Sequence, residues 1–214
     1  MTKEKFGNFK VKVKSFSDTL LLTFSHVDSD LDIGNSKLEI NHTLLSLASS
    51  YIGFFSSCAL SMGIPFRGGI SFGAFLEDDY SIMGDALIDV AEYYELPNWI
   101  GISLTPSSYK IVHLKKLAGG NIVRHLINYD IPLKIGLEKD GISLNMLADY
   151  SRTKNTLSEP NSPYKNYDVI KKMDFSNTID TIFENMMSKT SNIEHTVKIR
   201  NTLAYLKYIE SLPP

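Results

Sequence analysis

The sequence predicts an α+β fold in which helices pack on one mostly antiparallel β-sheet, followed by two C-terminal helices. Short runs of alternating apolar and polar residues are typical of half-buried strands. They occur beside longer stretches in which apolar residues recur every three or four positions, as in helices. The predicted elements follow the order β-β-α-β-β-α-β-α-β-β, and hairpins next to single helices are typical of an antiparallel sheet covered by helices.

The composition favours one globular domain in a reducing compartment. With 214 residues, 43% of them hydrophobic and 21% charged, the chain is long and apolar enough to bury a core. A net charge of −2 argues against a broad nucleic-acid surface. The single cysteine, Cys58, cannot form a disulfide within the chain, and the start MTKEKFGNFK lacks the apolar segment of a signal peptide. We therefore expect a cytoplasmic protein that does not bind nucleic acid.

The first elements are a hairpin, a loop and a long apolar helix. Residues 8–24 predict a hairpin, because the runs VKVK and TLLLTF flank the corner SFSD. Residues 25–39 are predicted as a loop and 40–62 as a helix. The helix is apolar enough to span a bilayer, yet it carries a stripe of small residues that would let it pack closely on a sheet. We therefore expect a buried helix and no membrane. The stripe consists of Ser46, Ser50, Gly53, Ser57 and Ser61.

The middle of the chain alternates strands and helices. Residues 66–75, FRGGISFGAF, predict a strand whose three glycines imply close approach of another backbone or of a ligand. The further predicted elements are a return strand at 80–83, a helix at 84–96, a strand at 99–104 and a helix at 107–128 with a break at Gly119-Gly120.

The last third begins with two strands, 131–136 and 142–147, joined by a turn at Glu138–Gly141. Residues 150–168 are polar and contain two prolines, so we expect a loop. Two amphipathic helices end the chain. Their predicted apolar faces are Phe175, Ile179, Ile182, Phe183, Met186 and Met187 in the first, and Ile193, Val197, Leu203, Leu206 and Ile209 in the second.

Three motifs stand in order along the first half of the chain. The hairpin reads Lys-Val-Lys-Ser-Phe-Ser-Asp at residues 12–18, the strand after the helix reads Arg-Gly-Gly-Ile-Ser-Phe-Gly at 67–73, and Tyr-Ser-Ile-Met-Gly-Asp follows at 80–85. In this order and spacing they resemble the class III nucleotidyl cyclases, the catalytic domain of adenylate and guanylate cyclases. Ile-Pro-Leu-Lys at 131–134 and Arg-Asn-Thr at 200–202 look like motifs of a bacterial branch related to the pyrimidine cyclases of anti-phage Pycsar systems.

The resemblance implies a cyclase-homology domain with a ferredoxin-like core over residues 1–149, a loop over 150–170 and a C-terminal helical extension over 171–214. It also implies an activity that forms a cyclic nucleotide from a nucleoside triphosphate, with Mg²⁺ or Mn²⁺ clamped by two aspartates. Sites of this family form between two domains, so a homodimer or heterodimer is expected. The biological setting would be bacterial signalling or antiviral defence.

The motifs assign five candidate site residues. Asp18 matches the second metal aspartate, although a hairpin corner also favours Asp. Lys14 stands where adenylate-type cyclases carry a base-reading lysine, although it could be an exposed strand lysine. Ser81 stands where adenylate cyclases have Asp and guanylate cyclases have Cys, and its hydroxyl does not fix the base. Arg67 could face phosphates or pair with the acidic turn. Lys134 resembles a phosphate-binding lysine, although an ordinary solvated lysine fits it better.

Two departures weaken the expected activity. The strand with the family's first metal aspartate would precede the hairpin, and its motif stands nowhere in the sequence, so the resemblance implies an N-terminally incomplete domain. The positions of the family's transition-state Asn and Arg hold Ile88 and Glu92, or Asp89 and Tyr93 with one insertion. Neither pair supplies a cation where negative charge develops. The sequence therefore predicts a degenerate or partner-dependent cyclase, or alternatively a non-catalytic nucleotide-binding or protein-interaction module.

Other chemistries find little support in the sequence. The five histidines are scattered without metal-ligand spacing. No local elbow motif points to a Ser/His/Asp set.

Overall fold

The computed structural model describes residues 9–26, 36–78, 81–117, 125–159, 161–163, 167–168 and 170–213. Most of the predicted loop at 25–39, Tyr80 and the predicted break at Gly119-Gly120 lie outside these residues. In chain order the elements are β1 (Phe9–Phe16), β2 (Thr19–His26), α1 (Ser36–Ser61), β3 (Gly68–Ile70), β4 (Leu76–Glu77), β5 (Ile82–Met83), α2 (Asp85–Tyr93), β6 (Ile102–Leu104), α3 (Pro106–Leu117), β7 (Leu126–Pro132), β8 (Leu137–Leu144), α4 (Met146–Ser158), a short 3-10 turn (Ile170–Lys172), α5 (Ile179–Lys189) and α6 (Ile193–Ser211).

The α+β class is confirmed, but the strands do not form one sheet. In the part of the chain that the structure describes, a four-stranded sheet has the order β3-β6-β8-β7, and β1–β2 and β4–β5 are separate hairpins. The β3–β6 pair is parallel and the other pairs are antiparallel. The first hairpin joins the rest through side chains instead of backbone hydrogen bonds. Phe24 contacts Tyr51 of α1, and Lys12 and Thr23 contact Glu77 of β4.

Helix α1 is buried among other elements, as its stripe of small residues predicts. Its closest helical neighbour is α4, where a Cβ added to Gly53 would lie 2.4 Å from Asp149 Oδ2. At Gly53 the stripe therefore admits a helix, and α1 also packs on the four-stranded sheet through the core that contains Leu45 and Leu104. Residues Lys37–Ser61 are the one stretch among the described helices that is long and apolar enough to cross a membrane. Half of its most apolar window is buried, as in the core helix of a soluble α+β protein.

The glycines of the FRGGISFG segment are explained by α2. A Cβ on Gly69 would lie 3.0 Å from Val90 Cγ2, and one on Gly73 would lie 3.1 Å from the Ala86 backbone nitrogen. Both neighbours belong to α2. The close approach that these glycines predict is thus made by the protein's own helix.

The region around residues 107–147 corrects two predictions. The predicted helix 107–128 ends at Leu117, and residues from Leu126 onward form β7. The hairpin turn lies at 133–136, where Gly136 has a φ of 84°, and not at Glu138–Gly141, which lies inside β8. Lys139 and Asp140 form a bulge there opposite Asp130, and Asp140 has a φ of 53° while its backbone N–H donates to Asp130 Oδ1 at 3.0 Å. Asp-Gly marks bulges as well as turns.

The predicted loop at 150–168 begins with a helix. Residues 146–158 form α4, and Asn145 caps it by accepting the Ala148 N–H at 3.0 Å. Most of its exposed positions are polar, which conceals the helical spacing of its buried residues. Those residues are Asp149, Tyr150, Thr153 and Leu157.

Helices α5 and α6 supply much of one hydrophobic core. Trp99, Phe183, Tyr205 and Leu206 are all at most 1% exposed and belong to this core. A second core lies between α1, α3 and the four-stranded sheet. The buried face of α6 differs from the predicted one, since Ile193 is exposed while hydroxyl-bearing Thr202 and Tyr205 are buried. Their hydroxyls have partners, as Thr202 Oγ1 accepts the Ile100 N–H and Tyr205 donates to the Leu144 carbonyl.

Candidate functional site

The hairpin turn places Asp18 at an exposed tip. Phe16 pairs with Thr19, so Ser17 and Asp18 form a two-residue turn, with Ser17 at a φ of 55°. The Asp18 carboxylate accepts a long hydrogen bond of 3.5 Å from the Thr19 hydroxyl. The carboxylate also lies within electrostatic reach of Tyr94, whose pKa it helps to raise. A local turn thus carries Asp18 toward a residue 76 positions later in the chain.

Arg67 meets the same tyrosine from the segment that precedes β3. Its guanidinium carbon lies 5.4 Å from the centre of the Tyr94 ring, a cation–π distance. Its Nη1 atom is buried and has no hydrogen-bond partner. A buried guanidinium nitrogen without an acceptor is costly.

Lys134 completes this surface from the β7–β8 turn. Its Nζ lies 3.7 Å from Glu95 Oε2, and its backbone N–H donates to the Leu96 carbonyl at 2.9 Å. Tyr94 donates a hydrogen bond of 2.9 Å to the other Glu95 oxygen. That bond, followed by the charges of Lys134 and Arg67, lowers the pKa of Glu95, and the same bond raises the pKa of Tyr94.

Two of the five predicted residues, Arg67 and Lys134, therefore contact the adjacent residues Tyr94 and Glu95, and the charge of a third, Asp18, acts on Tyr94. We call this the Tyr94–Glu95 surface, and it consists of Asp18, Arg67, Tyr94, Glu95 and Lys134. Lys134 is half-exposed, with 48% of its side chain accessible, and Glu95 is its ion-pair partner.

The other two predicted residues, Lys14 and Ser81, lie together but face their own chain. Lys14 Nζ donates to the Asp78 carbonyl at 2.5 Å and to the Ser81 carbonyl at 3.0 Å. The Ser81 backbone N–H and hydroxyl both donate to the Asp78 carboxylate, at 2.6 and 2.9 Å. These bonds fasten the first hairpin to the β4–β5 hairpin. Both side chains thus have structural partners in place of a ligand.

The α2 positions that match the family's transition-state residues carry no cation. Ile88 is 57% exposed and Glu92 is exposed. Asp89 Oδ2 accepts the Ser107 hydroxyl at 2.6 Å, and buried Tyr93 donates to Glu138 Oε2 at 2.5 Å. Burial and the Glu138 carboxylate raise the pKa of Tyr93, so it stays a neutral donor.

The described residues do not form a metal site by themselves. Among them, no three His, Cys, Asp or Glu side chains are close enough to share an ion. Asp18 can give one carboxylate, and Mg²⁺ usually takes one or two carboxylates together with phosphate oxygens and water. One cavity of about 20 Å³, lined by residues that include Phe66, Leu144 and Phe183, is far too small for a nucleotide.

A second polar group, which the sequence did not predict, joins α1, α4 and the residue before β7. Ser50 Oγ lies 3.1 Å from His125 Nε2, and His125 Nδ1 lies 2.6 Å from Asp149 Oδ1. Arg152 Nη1 lies 2.8 Å and 2.9 Å from the two ring nitrogens. The three residues are 75 and 24 positions apart, so no local motif links them. The one signal in the sequence is Ser50 in the small-residue stripe of α1.

No protein-family model, no curated protein and no solved structure matches this chain.

Proposed function

We propose that this protein is a nucleotidyl-cyclase-like module that binds a nucleoside triphosphate on the Tyr94–Glu95 surface. The observation that supports this most is the convergence of Asp18, Arg67 and Lys134. The resemblance assigns these residues from motifs that lie 49 and 67 positions apart. Arg67 and Lys134 contact the adjacent pair Tyr94 and Glu95, and the charge of Asp18 acts on Tyr94, although nothing in their spacing requires it.

The chemistry of the surface suits a triphosphate. Arg67 offers a buried Nη1 without an acceptor, and guanidinium groups bind phosphate oxygens with two parallel hydrogen bonds. Lys134 adds a second, half-exposed positive charge, which a phosphate would draw from Glu95. Lys14 and Ser81 act in this proposal as positioning residues, because their bonds to the β4–β5 hairpin hold the hairpin that carries Asp18.

Mg²⁺ or Mn²⁺ enters the proposal only together with the triphosphate. Asp18 would supply one carboxylate, and the phosphate oxygens would supply others. The described residues offer no second carboxylate at the hairpin tip, so the ion is not expected to bind without the nucleotide.

Cyclisation is proposed only with a partner. A second domain, in a homodimer or heterodimer, would have to bring the missing carboxylate and a cation for the transition state. The alternative is a module that binds nucleotides or proteins without catalysis. The internal bonds of Asp89 and Tyr93 favour this alternative, because those side chains are engaged inside the chain. A cytoplasmic role in signalling or antiviral defence fits either form.

Calorimetric titration with each of the four ribonucleoside triphosphates, with and without Mn²⁺, tests the proposal. We expect at least one of them to bind, and Arg67→Ala to weaken that binding about 10-fold or more, since charged hydrogen bonds contribute about 1.5–3 kcal/mol. Lys171→Ala is the matched control, because Lys171 is an exposed cation paired with Asp168 elsewhere in the chain.

Two results would contradict the proposal. One is that no triphosphate binds under any condition, and the other is that Arg67→Ala and Lys171→Ala weaken binding equally. Chromatographic detection of a cyclic product after incubation with Mn²⁺ then separates a cyclase from a non-catalytic module.

A further inference from the structure

The group formed by Ser50, His125 and Asp149, which we call the Ser50 relay, has the connectivity of a nucleophilic site. A hydroxyl contacts one nitrogen of an imidazole, and a carboxylate contacts the other, at 3.1 and 2.6 Å. In serine hydrolases this arrangement is recognised by geometry and not by sequence position. The relay lies apart from the residues of the Tyr94–Glu95 surface, and nothing in the proposed nucleotide binding uses it.

The carboxylate sets the tautomer of the relay. An ionised carboxylate can only accept, so His125 Nδ1 carries the proton that bonds to Asp149. In the neutral imidazole Nε2 is then the single acceptor, and two donors lie within reach of it, the Ser50 hydroxyl at 3.1 Å and Arg152 Nη1 at 2.9 Å. This is the tautomer in which a histidine can take the proton of an attacking serine.

Ser50 differs from other serines of the same helix. The hydroxyls of Ser57 and Ser61 donate to the carbonyls of Gly53 and Cys58 inside α1, which is the usual bond of a serine in a helix. The Ser50 hydroxyl instead contacts His125, and Ser50 as a residue is only half-buried. Its environment therefore makes it available as a nucleophile.

Asp149 is held as an orienting group. It is only 5% exposed, and its Oδ2 has no hydrogen-bond partner and packs against Gly53. Because a side chain at position 53 would occupy the same space, the glycine lets α4 bring the carboxylate up to His125. A buried carboxylate that accepts from Nδ1 fixes the orientation of the ring.

Arg152 supplies the cation that developing charge requires. Its Nη1 and Ser50 Oγ both lie within 3.1 Å of His125 Nε2, so the two atoms are at most about 6 Å apart. The backbone N–H groups around Ser50 are bonded inside α1, so an oxyanion there must be stabilised by a side chain. Arg152 is half-exposed, at 50% of its side chain, and can approach a substrate from the solvent side.

We propose that Ser50 is the nucleophile of an esterase-type site that accepts small carboxylic esters. Ser50 Oγ forms a bond to the acyl carbon while its proton passes to His125 Nε2. The bond between acyl carbon and alkoxy oxygen then breaks, and the alcohol leaves with the proton from Nε2. Water attacks the acyl-serine with His125 as base, and the carboxylic acid and free Ser50 are regenerated. Arg152 stabilises the oxyanion in both halves, and Asp149 is a positioning residue.

The test uses a fluorophosphonate probe, which phosphonylates activated serines, followed by mass spectrometry of the intact protein and of its peptides. We expect one adduct on Ser50 of the full-length protein. Ser50→Ala should abolish it, and His125→Gln should slow it about 100-fold or more, as loss of a general base does. Ser57→Ala is the control, because it removes a hydroxyl from the same helix without a contact to His125. Hydrolysis of p-nitrophenyl acetate should follow the same order.

Two outcomes overturn this proposal. One is that the folded wild-type protein gains no adduct on Ser50, and the other is that His125→Gln reacts as fast as the wild type. Neither depends on a nucleotide, so failure here is distinct from failure of triphosphate binding. Circular dichroism of each variant establishes that a lost adduct reflects chemistry and not unfolding.

Discussion

The Tyr94–Glu95 surface and the Ser50 relay show two ways in which polar side chains are brought together. On the surface, the contacts range from the 2.9 Å hydrogen bond between Tyr94 and Glu95 to the 5.4 Å cation–π distance of Arg67, and Lys134 and Glu95 are about half-exposed. In the relay, shorter side chains meet at 2.6 to 3.1 Å around a carboxylate that is 5% exposed. Solvent-exposed ion pairs contribute little to stability. Breaking a buried hydrogen bond destabilises the protein more, because the remaining polar group is then buried without a partner. Substitutions should therefore separate the two regions, through stability in one and through binding in the other.

The largest effect is expected at Gly53, where α1 and α4 meet. In an ordinary helix Gly→Ala stabilises by about 1 kcal/mol. Here the new Cβ would lie 2.4 Å from Asp149 Oδ2, so Gly53→Ala should instead destabilise by about 1–3 kcal/mol. Urea unfolding followed by circular dichroism measures the sign, and a stabilised variant would show that the two helices are not held this closely.

The matched control for that variant is Ser61→Ala, which changes another member of the same small-residue stripe. The Ser61 hydroxyl donates within α1, to the Cys58 carbonyl, and so does not depend on the position of α4. We expect a change below about 1 kcal/mol. An equal loss in both variants would mean that the stripe as a whole, and not the contact with Asp149, determines the effect.

The next largest effect on stability is expected at Tyr93. Its neighbour Tyr94 lies on the Tyr94–Glu95 surface, whereas Tyr93 is buried. Tyr93 is buried and donates to Glu138, so Tyr93→Phe should cost about 1 kcal/mol of unfolding free energy. Tyr94 bonds to exposed Glu95, so Tyr94→Phe should leave stability unchanged. Triphosphate binding should be unaffected by Tyr93→Phe. If Tyr93→Phe abolished binding without loss of stability, this position would belong to the nucleotide site.

The sequence predicts some elements of this fold and not others. The α+β class, α1 and the last two helices follow from periodicity, since each has a continuous apolar pattern. Helix α4 does not, because its buried positions include Asp149 and Thr153, which a hydrophobic pattern does not count. The bulge at Lys139-Asp140 resembles a turn in sequence, because the Asp140-Gly141 dipeptide at its end is also typical of a tight turn.

The candidate sites differ in the same manner. Asp18 and Arg67 lie in short motifs, so the resemblance assigns them from the sequence alone. Ser50, His125 and Asp149 come from three separate elements, and only the packing of α1 against α4 brings them together. The engagement of Tyr93 by Glu138 is equally tertiary, and no sequence pattern indicates that this position is structural.

A pH-dependent effect is expected from Cys58, inside α1. Burial raises the pKa of its thiol from 9.0 to about 11. Because the folded-state pKa is the higher one, this contribution to stability is complete below about pH 9 and is lost as the pH rises toward 11. Because Cys58 is buried, the loss should be on the order of 1 kcal/mol. Urea unfolding at pH 8 and pH 10.5 measures it.

The comparison for this prediction is Cys58→Ala at the same two pH values. Tyrosines with raised pKa values also lower the unfolding free energy of the protein at high pH, and Tyr93 and Tyr205 are among them. Their contribution remains in the variant, so only the difference between the two proteins belongs to the thiol. Identical slopes would show that Cys58 titrates alike in the folded and unfolded chains.

The smallest effect on stability, and the sharpest contrast with Gly53, is expected at Asp18. Among the described residues its exposed carboxylate has one hydrogen bond, the long contact with Thr19, so Asp18→Ala should change the unfolding free energy by less than about 0.5 kcal/mol. Its effect on triphosphate affinity should appear only when Mn²⁺ is present, because the carboxylate repels phosphates unless a cation lies between them. Without Mn²⁺ the variant should bind the triphosphate as well as the wild type or better. Calorimetric titrations with and without Mn²⁺ measure the two affinities. If the variant lost affinity equally in both, Asp18 would act through the shape of the turn, and the assignment of its carboxylate to a metal ion would be wrong.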